Sequence, residues 1–249
     1  MKFGLELSMR IIYFIVTTLF LIAAFWRLKL KETIVNAEPI RFRYFIEAYP
    51  KAIKESVNVW KKVPRTAFWI FTIETLLMFG VSLTNVINAV YARDVLGIAE
   101  EQWWLVYIPL LLTMIIASLP IGKIVDKFGR KIPLITGLII FGTATLIFMW
   151  GNLPMLMLSM ALFAIGQLLT MSSAMALSTD LVNPENRGKV VGFRNFVSYI
   201  LSGLGMLLGN YLYISIIPQL PFYAALILII PALLIAVFLV QEPKKEERD

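Results

Sequence analysis

The chain has 249 residues, of which 59% are hydrophobic and 16% charged, with a mean hydropathy of +0.79 and a net charge of +7. That balance excludes a soluble globular domain, whose surface could not be kept polar. Cysteine and histidine are both absent, which removes disulfides, thiol nucleophiles, Ser/His/Asp and Cys/His sets, His-based metal sites and His proton relays, so no enzyme, metal or cofactor is expected.

The charges cluster between seven apolar runs, roughly 11–26, 66–91, 103–121, 132–150, 153–179, 195–217 and 220–240. Each is long enough to cross about 30 Å of hydrocarbon, the first with Arg10 and Arg27 snorkelling from its ends. An all-α membrane protein of about seven transmembrane helices is therefore predicted. The first run (1–26) is followed by basic residues and not by a small-residue cleavage site, so it reads as a retained helix and not a signal peptide.

Residues 27–65 form the one long connection. Phe42, Phe45, Ile46, Tyr49, Ile53 and Trp60 recur at helical spacing, with Arg41, Arg43, Lys51, Lys54 and Lys61 on the other flank. This suits an amphipathic helix on the inner headgroup layer, with membrane lipid as its partner. Pro39, Pro50 and Pro64 would interrupt anything longer.

Glu74 is the one carboxylate well within a span. Taking 66–91 as one helix at about 100° per residue, Asn85 falls about 20° from Glu74 and Asn88 about 40° to the other side. Polar groups are costly in hydrocarbon, so this face is expected to look into a cavity or onto another helix. Glu74 is a candidate site for a coupling proton or a cationic solute, and Asn85 and Asn88 are candidate hydrogen-bonding partners of a substrate. The plainer reading is that Glu74 pairs with a loop cation near the boundary.

Between the uncharged stretches 103–121 and 132–150 lies Gly-Lys-Ile-Val-Asp-Lys-Phe-Gly-Arg-Lys, residues 122–131. Gly122 and Gly129 allow a tight reversal and close helix approach. Asp126 can accept from a neighbouring helix N-terminus or from Arg130. With this turn inside, the inner segments are 27–65, 122–131, 180–194 and 241–249; they hold 20 of the 23 Lys and Arg residues. Lys and Arg keep loops cytoplasmic, so the N-terminus is expected outside and the C-terminus inside, in the cell membrane. The cations are then topology determinants, and no nucleic-acid partner is implied.

Gln167 lies mid-span in 153–179, with Thr170, Ala174 and Ser178 on its face, and lines the same cavity or bonds a neighbouring helix. Arg194 opens the sixth span as an interfacial anchor or as a gating partner of Asp126 or Asp180. Gly205-x-x-x-Gly209 permits close helix packing. No G-x-x-x-x-G-K-[ST] loop is present, so any transport would draw on a gradient and not on ATP.

The stretch 122–131 resembles the loop signature G-x-x-x-D-[RK]-x-G-[RK]-[RK] of the major facilitator superfamily of secondary transporters. Pro184-Glu-Asn-Arg187-Gly188-Lys is similar to the Pro-Glu-x-Arg-Gly element before the family's eleventh helix, and Gln241-Glu-Pro243 fits its tails. In the family this signature follows the second helix of each six-helix half, so the resemblance implies residues 1–26 as the last helix of the first half and 27–65 as the central loop. It makes 66–240 the second half and 241–249 the tail. It also implies alternating-access transport of a small solute, gradient-driven with a proton or cation, in the efflux direction or otherwise. Gly122, Asp126, Gly129, Arg130 and Lys131 would form the gating motif, and Pro184, Glu185, Arg187 and Gly188 the second cytoplasmic loop. Seven helices stand where the family has twelve, so a partial chain is expected: a fragment or split product, or a chain that pairs with a separate N-terminal half or with a second copy. The rival expectation is a membrane protein that does not transport.

Overall fold

The computed structural model describes residues 5–29, residues 50, 54, 58 and 60, and residues 63–182 and 184–242. Most of the predicted amphipathic segment falls outside the described residues, which include only Pro50, Lys54, Asn58 and Trp60 of 41–61; Pro243 of the tail is outside as well. Among the described residues every long element is a helix and none is a strand. Seven helices are long and apolar enough to cross a membrane, as the hydropathy pattern predicts.

The chain divides into two units. The first, residues 1–48, contains α1 (Leu5–Arg27), whose end is marked by Lys29 lying over the rings of Phe25 and Trp26 at 5.4 and 4.7 Å. The second, residues 49–249, holds α2 (Arg65–Asn85), short α3 (Asn88–Asp94), α4 (Trp103–Phe128), α5 (Lys131–Trp150), α6 (Leu153–Leu181), α7 (Pro184–Ser215) and α8 (Leu220–Phe238). Within it α2 packs against α7, α8 and α6, while α6 lies between α4 and α5, and α5 also meets α8. Short connections make successive spans antiparallel, and the two largest apolar clusters lie toward opposite ends. Ile70, Ile73, Leu134, Leu138, Leu177 and Ala236 fill one, and Tyr91, Val106, Phe148, Met149, Leu156 and Phe222 the other.

Two boundaries differ from the sequence expectation. The run 66–91 is not one helix: α2 stops at Asn85 and α3 begins at Asn88. Ser82 Oγ donates to the Met78 carbonyl at 2.6 Å and Thr84 Oγ1 to Val81 at 3.2 Å. Such back-bonding competes with the main-chain ladder and bends helices. The basic turn is also shorter than ten residues, because α4 continues to Phe128 and only Gly129 and Arg130 separate it from α5. Gly122 is consequently inside a helix with open space where a Cβ would sit, so it makes neither the reversal nor a close approach.

Close approaches occur elsewhere. Gly205 and Gly209 seat α7 on α2: a Cβ on Gly205 would lie 2.9 Å from Ser82 Cβ, and one on Gly209 would collide with the Leu83 carbonyl. Gly137 of α5 and Gly166 of α6 face each other, and a Cβ on either would come within 3.0 Å of the other's carbonyl oxygen. Ser159 Oγ donates to the Ala144 carbonyl at 2.7 Å about two turns further along the same pair of helices. At the far end Arg93 holds Asp94 (2.6 Å) and Glu100 (2.7 Å), and its hydrogen bond keeps the Asp94 carboxyl below the usual carboxylate range.

Candidate functional site

Glu74 sits nine residues into α2, about 14 Å along the helix from Arg65 and thus deep in a span about 30 Å thick. Arg194, ten residues into α7, reaches it there: Nη1 lies 3.3 Å from both carboxylate oxygens, with both side chains about one-fifth exposed. The expectation that Arg194 anchors at the interface, or pairs with Asp126 or Asp180, is corrected by this contact. A carboxylate and a guanidinium carried into apolar helices take each other as partners, because each is too costly to bury alone.

On its other side Glu74 lines a pocket of about 120 Å³ with Met78, Val81, Phe141, Phe163, Gln167 and Met171. Gln167 donates to Met171 Sδ at 3.7 Å, one turn along α6. The Phe141 and Phe163 rings pack with centroids 4.5 Å apart, tilted at 42° to each other. Of the four polar residues predicted to share a cavity, Glu74 and Gln167 do so. Asn88 lines a separate cleft of about 30 Å³ with Thr84, Thr145 and Ser159, across Phe163 from the first. Asn85 is exposed. The break after Asn85 rotates Asn88 out of the register a continuous helix would give.

The basic-loop end is tied by three contacts. Arg130 Nε approaches Asp180 Oδ2 of α6 at 3.2 Å, close enough for an ion pair although the N–H is misaligned for a hydrogen bond. Glu242, just past α8, accepts from the Arg130 and Lys131 backbone N–H groups at 2.7 and 2.8 Å, one carboxylate oxygen to each. It thereby satisfies orphan donors at the start of α5, where a negative charge also suits the helix dipole. Lys131 Nζ donates to the Val237 carbonyl at 2.7 Å. Gly129 makes this possible: its φ of +82° and ψ of −178° turn the chain, and a Cβ there would stand 2.6 Å from Glu242 Oε1. Asp126 is exposed and has no hydrogen bond or ion pair among the described residues, so the expected Asp126–Arg130 contact is replaced by Asp180–Arg130. The α6–α7 connection has the same economy. Pro184 and Glu185 open α7, Arg187 Nε donates to the Val182 carbonyl at 3.1 Å, and Gly188 has open space around it.

Sequence reasoning missed Glu242 as a cap, Asp180 as the partner of Arg130, and the Gly137–Gly166 crossing. Asp180 and Arg130 each close a hydrophobic run from the same side of the membrane, and that shared placement was the available signal. The two glycines stand on different helices, and nothing within either helix points to the other.

A model of the major facilitator superfamily matches residues 70–249. The chain is 29% identical over 173 residues to the quinolone resistance protein NorA of Staphylococcus aureus strain N315, covering 68% of this chain and 44% of that protein. The version from strain MRSA252 is 30% identical over the same length. An uncharacterized MFS-type transporter, C18.02, of Schizosaccharomyces pombe is 32% identical over 146 residues, 55% of this chain and 33% of the relative. The chain thus spans less than half the length of the curated relatives it matches.

Proposed function

The chain belongs to the major facilitator superfamily and is a multi-pass membrane protein, and from that premise we propose that it forms the second half of a secondary transporter moving a small solute by alternating access. Residues 66–240 are the six-helix half, residues 1–26 the last helix of the preceding half, 27–65 the loop between them and 241–249 the tail. The observation that carries the reading is the shared position of Glu74 and Gln167 on one pocket deep within the spans. Two methionines, two phenylalanines, one carboxylate and one amide suit a flat amphipathic solute bearing a positive charge. Met and aromatic faces take up an apolar body and attract a cation, and the carboxylate neutralises it.

At about 120 Å³ the pocket is smaller than the 300–1,000 Å³ typical of solute sites, as one wall of a cavity would be. The opposite wall then comes from the first half of the transporter or from a second copy. Glu74 is also the group to carry a coupling proton, in exchange for solute. Outward movement is proposed, in keeping with the resistance named for the staphylococcal relatives. The excess of Lys and Arg at the basic-loop end orients it to the cytoplasm, with the N-terminus outside and the C-terminus inside. There the Arg130–Asp180 and Glu242 contacts hold α5, α6 and α8 together in the state closed to that side, and Asp126 is left to meet a neighbouring helix end.

Everted membrane vesicles containing the chain and its partner half test this. Acidifying the lumen should drive uptake of ethidium, a lipophilic aromatic cation, and Glu74→Gln should abolish uptake without loss of the protein from the membrane. Gradient-driven uptake that survives Glu74→Gln would remove Glu74 from the transport site.

A further inference from the structure

Glu74 faces two directions at once. It lines the pocket shared with Gln167, whereas Arg194, its partner on α7, does not line that pocket. The contact between them is loose in kind. A guanidinium fork engages a carboxylate with two nitrogens at about 2.7–2.9 Å, but here a single nitrogen straddles both oxygens at 3.3 Å. The carboxylate therefore keeps acceptor capacity toward the pocket.

No other charge among the described residues is placed to balance it. On α2 itself the one other charged residue is Arg65, more than two turns away, and α8 carries none. From α6 the groups at the pocket are Phe163, Gln167, Thr170 and Met171, and from α5 Phe141. The remaining charge of α6, Asp180, is held by Arg130. Toward the N-terminal ends of α2 and α7 the pair is flanked by an aromatic cluster, one turn before Glu74 and one residue before Arg194. Trp60 lies 4.7 Å from Phe71 and 5.8 Å from Phe193, ring centre to ring centre. Rings on that side leave the pocket as the route by which another cation reaches Glu74.

We infer that Arg194 is the resident counter-ion of Glu74, displaced when the pocket takes up a cationic solute, and that its strength of pairing sets the affinity of the pocket for positive charge. The inference rests on the cation-site reading above. A carboxylate at this depth cannot stand unpaired, so while Glu74 is ionised an empty pocket needs a cation from within the protein. Exchange of Arg194 for a bound cation keeps one positive partner on the Glu74 carboxylate throughout. Solute occupancy is thereby linked to the spacing of α2 and α7, which meet closely at Gly205 and Gly209.

The test is ethidium binding to the chain together with its partner half in lipid nanodiscs, followed by fluorescence at pH 8.5, where protons compete least. Arg194→Gln removes the internal competitor and should tighten ethidium binding about five- to tenfold, the size of a partly exposed ion pair of roughly 1 kcal/mol. Damage to structure would weaken binding instead. Arg194→Lys, which keeps the charge without the straddling geometry, should fall between wild type and Arg194→Gln, and it carries the test if the Gln variant does not fold. The Glu74→Gln/Arg194→Gln double variant should lose the gain. Wild-type binding with unchanged or weaker binding by the Arg194 variants overturns the inference and leaves the cation site standing. Absence of wild-type binding overturns both.

Discussion

Replacement of Gly129 by Ala probes the basic-loop clasp most directly. Two costs combine at this position. With φ at +82° and ψ at −178°, the residue occupies a region of backbone space nearly confined to glycine, and a side chain there costs about 1–3 kcal/mol. The new Cβ would also stand 2.6 Å from Glu242 Oε1 and 3.1 Å from its Cδ. The glutamate end is flexible, so it swings away and leaves the Arg130 and Lys131 N–H groups without their acceptor. Losing a cap of this kind costs about 1 kcal/mol. Gly129→Ala should therefore destabilise by about 2–4 kcal/mol, and Glu242→Ala by about 1 kcal/mol. Because the first substitution already expels Glu242, the double variant should be no less stable than Gly129→Ala alone, giving a coupling of about 1 kcal/mol. Reversible unfolding in mixed micelles, followed through the tryptophan fluorescence, measures all three. Strictly additive losses would show that Glu242 does not respond to the Cβ, and a silent Glu242→Ala would show that the clasp contributes nothing.

Other substitutions separate packing from function. Gly209→Val should prevent α7 from seating on α2, seen as loss of a monodisperse detergent-solubilised protein, while Gly203→Ala, in open space, should be neutral or stabilise by up to about 1 kcal/mol; equal behaviour of the two would deny the crossing. Ser159→Ala removes the buried hydrogen bond to Ala144 and should cost about 1 kcal/mol in the same unfolding assay. Asp126→Asn should leave stability within about 0.5 kcal/mol, as for a surface site, yet slow ethidium transport; unchanged transport takes Asp126 out of the gating motif. Lys127→Cys, in a chain with no native cysteine, should resist a membrane-impermeant maleimide added outside intact cells and react after permeabilisation; labelling from outside reverses the proposed topology.

The architecture was legible because hydropathy reports directly on span number, and the seven helices fall where the apolar runs lie. The family was legible because Asp126, Gly129, Arg130 and Lys131 fall in one register between two uncharged stretches. Pairing was less legible. Hydropathy places Arg194 at the interface because the apolar run starts after it, yet α7 begins ten residues earlier, at Pro184. A helix that opens with polar residues places its first buried cation deeper than hydropathy suggests. Glu74 and Arg194 stand in neighbouring spans with no nearer opposite charge inside the hydrocarbon, and a stricter count of buried charges would have joined them.

The polar face drawn through Glu74, Asn85 and Asn88 shows a more general limit. The helical wheel assumes an unbroken ladder, and its error grows with distance from the residue used as reference. Between Glu74 and Asn85 lie Ser82 and Thr84, whose hydroxyls have no water to bond in an apolar span and turn instead to the carbonyls of Met78 and Val81. These same hydrogen bonds that make Ser and Thr affordable in a membrane helix loosen its last turn, so a wheel drawn past them should be given up at the first one. Gln167 and Thr170 were correctly grouped because they are three residues apart on the continuous α6, with the Asn152 side chain capping its start through the Met155 N–H. The two halves of the pocket thus differ in how well they can be read: the α6 wall follows from spacing alone, and the α2 wall can be read as far as Val81.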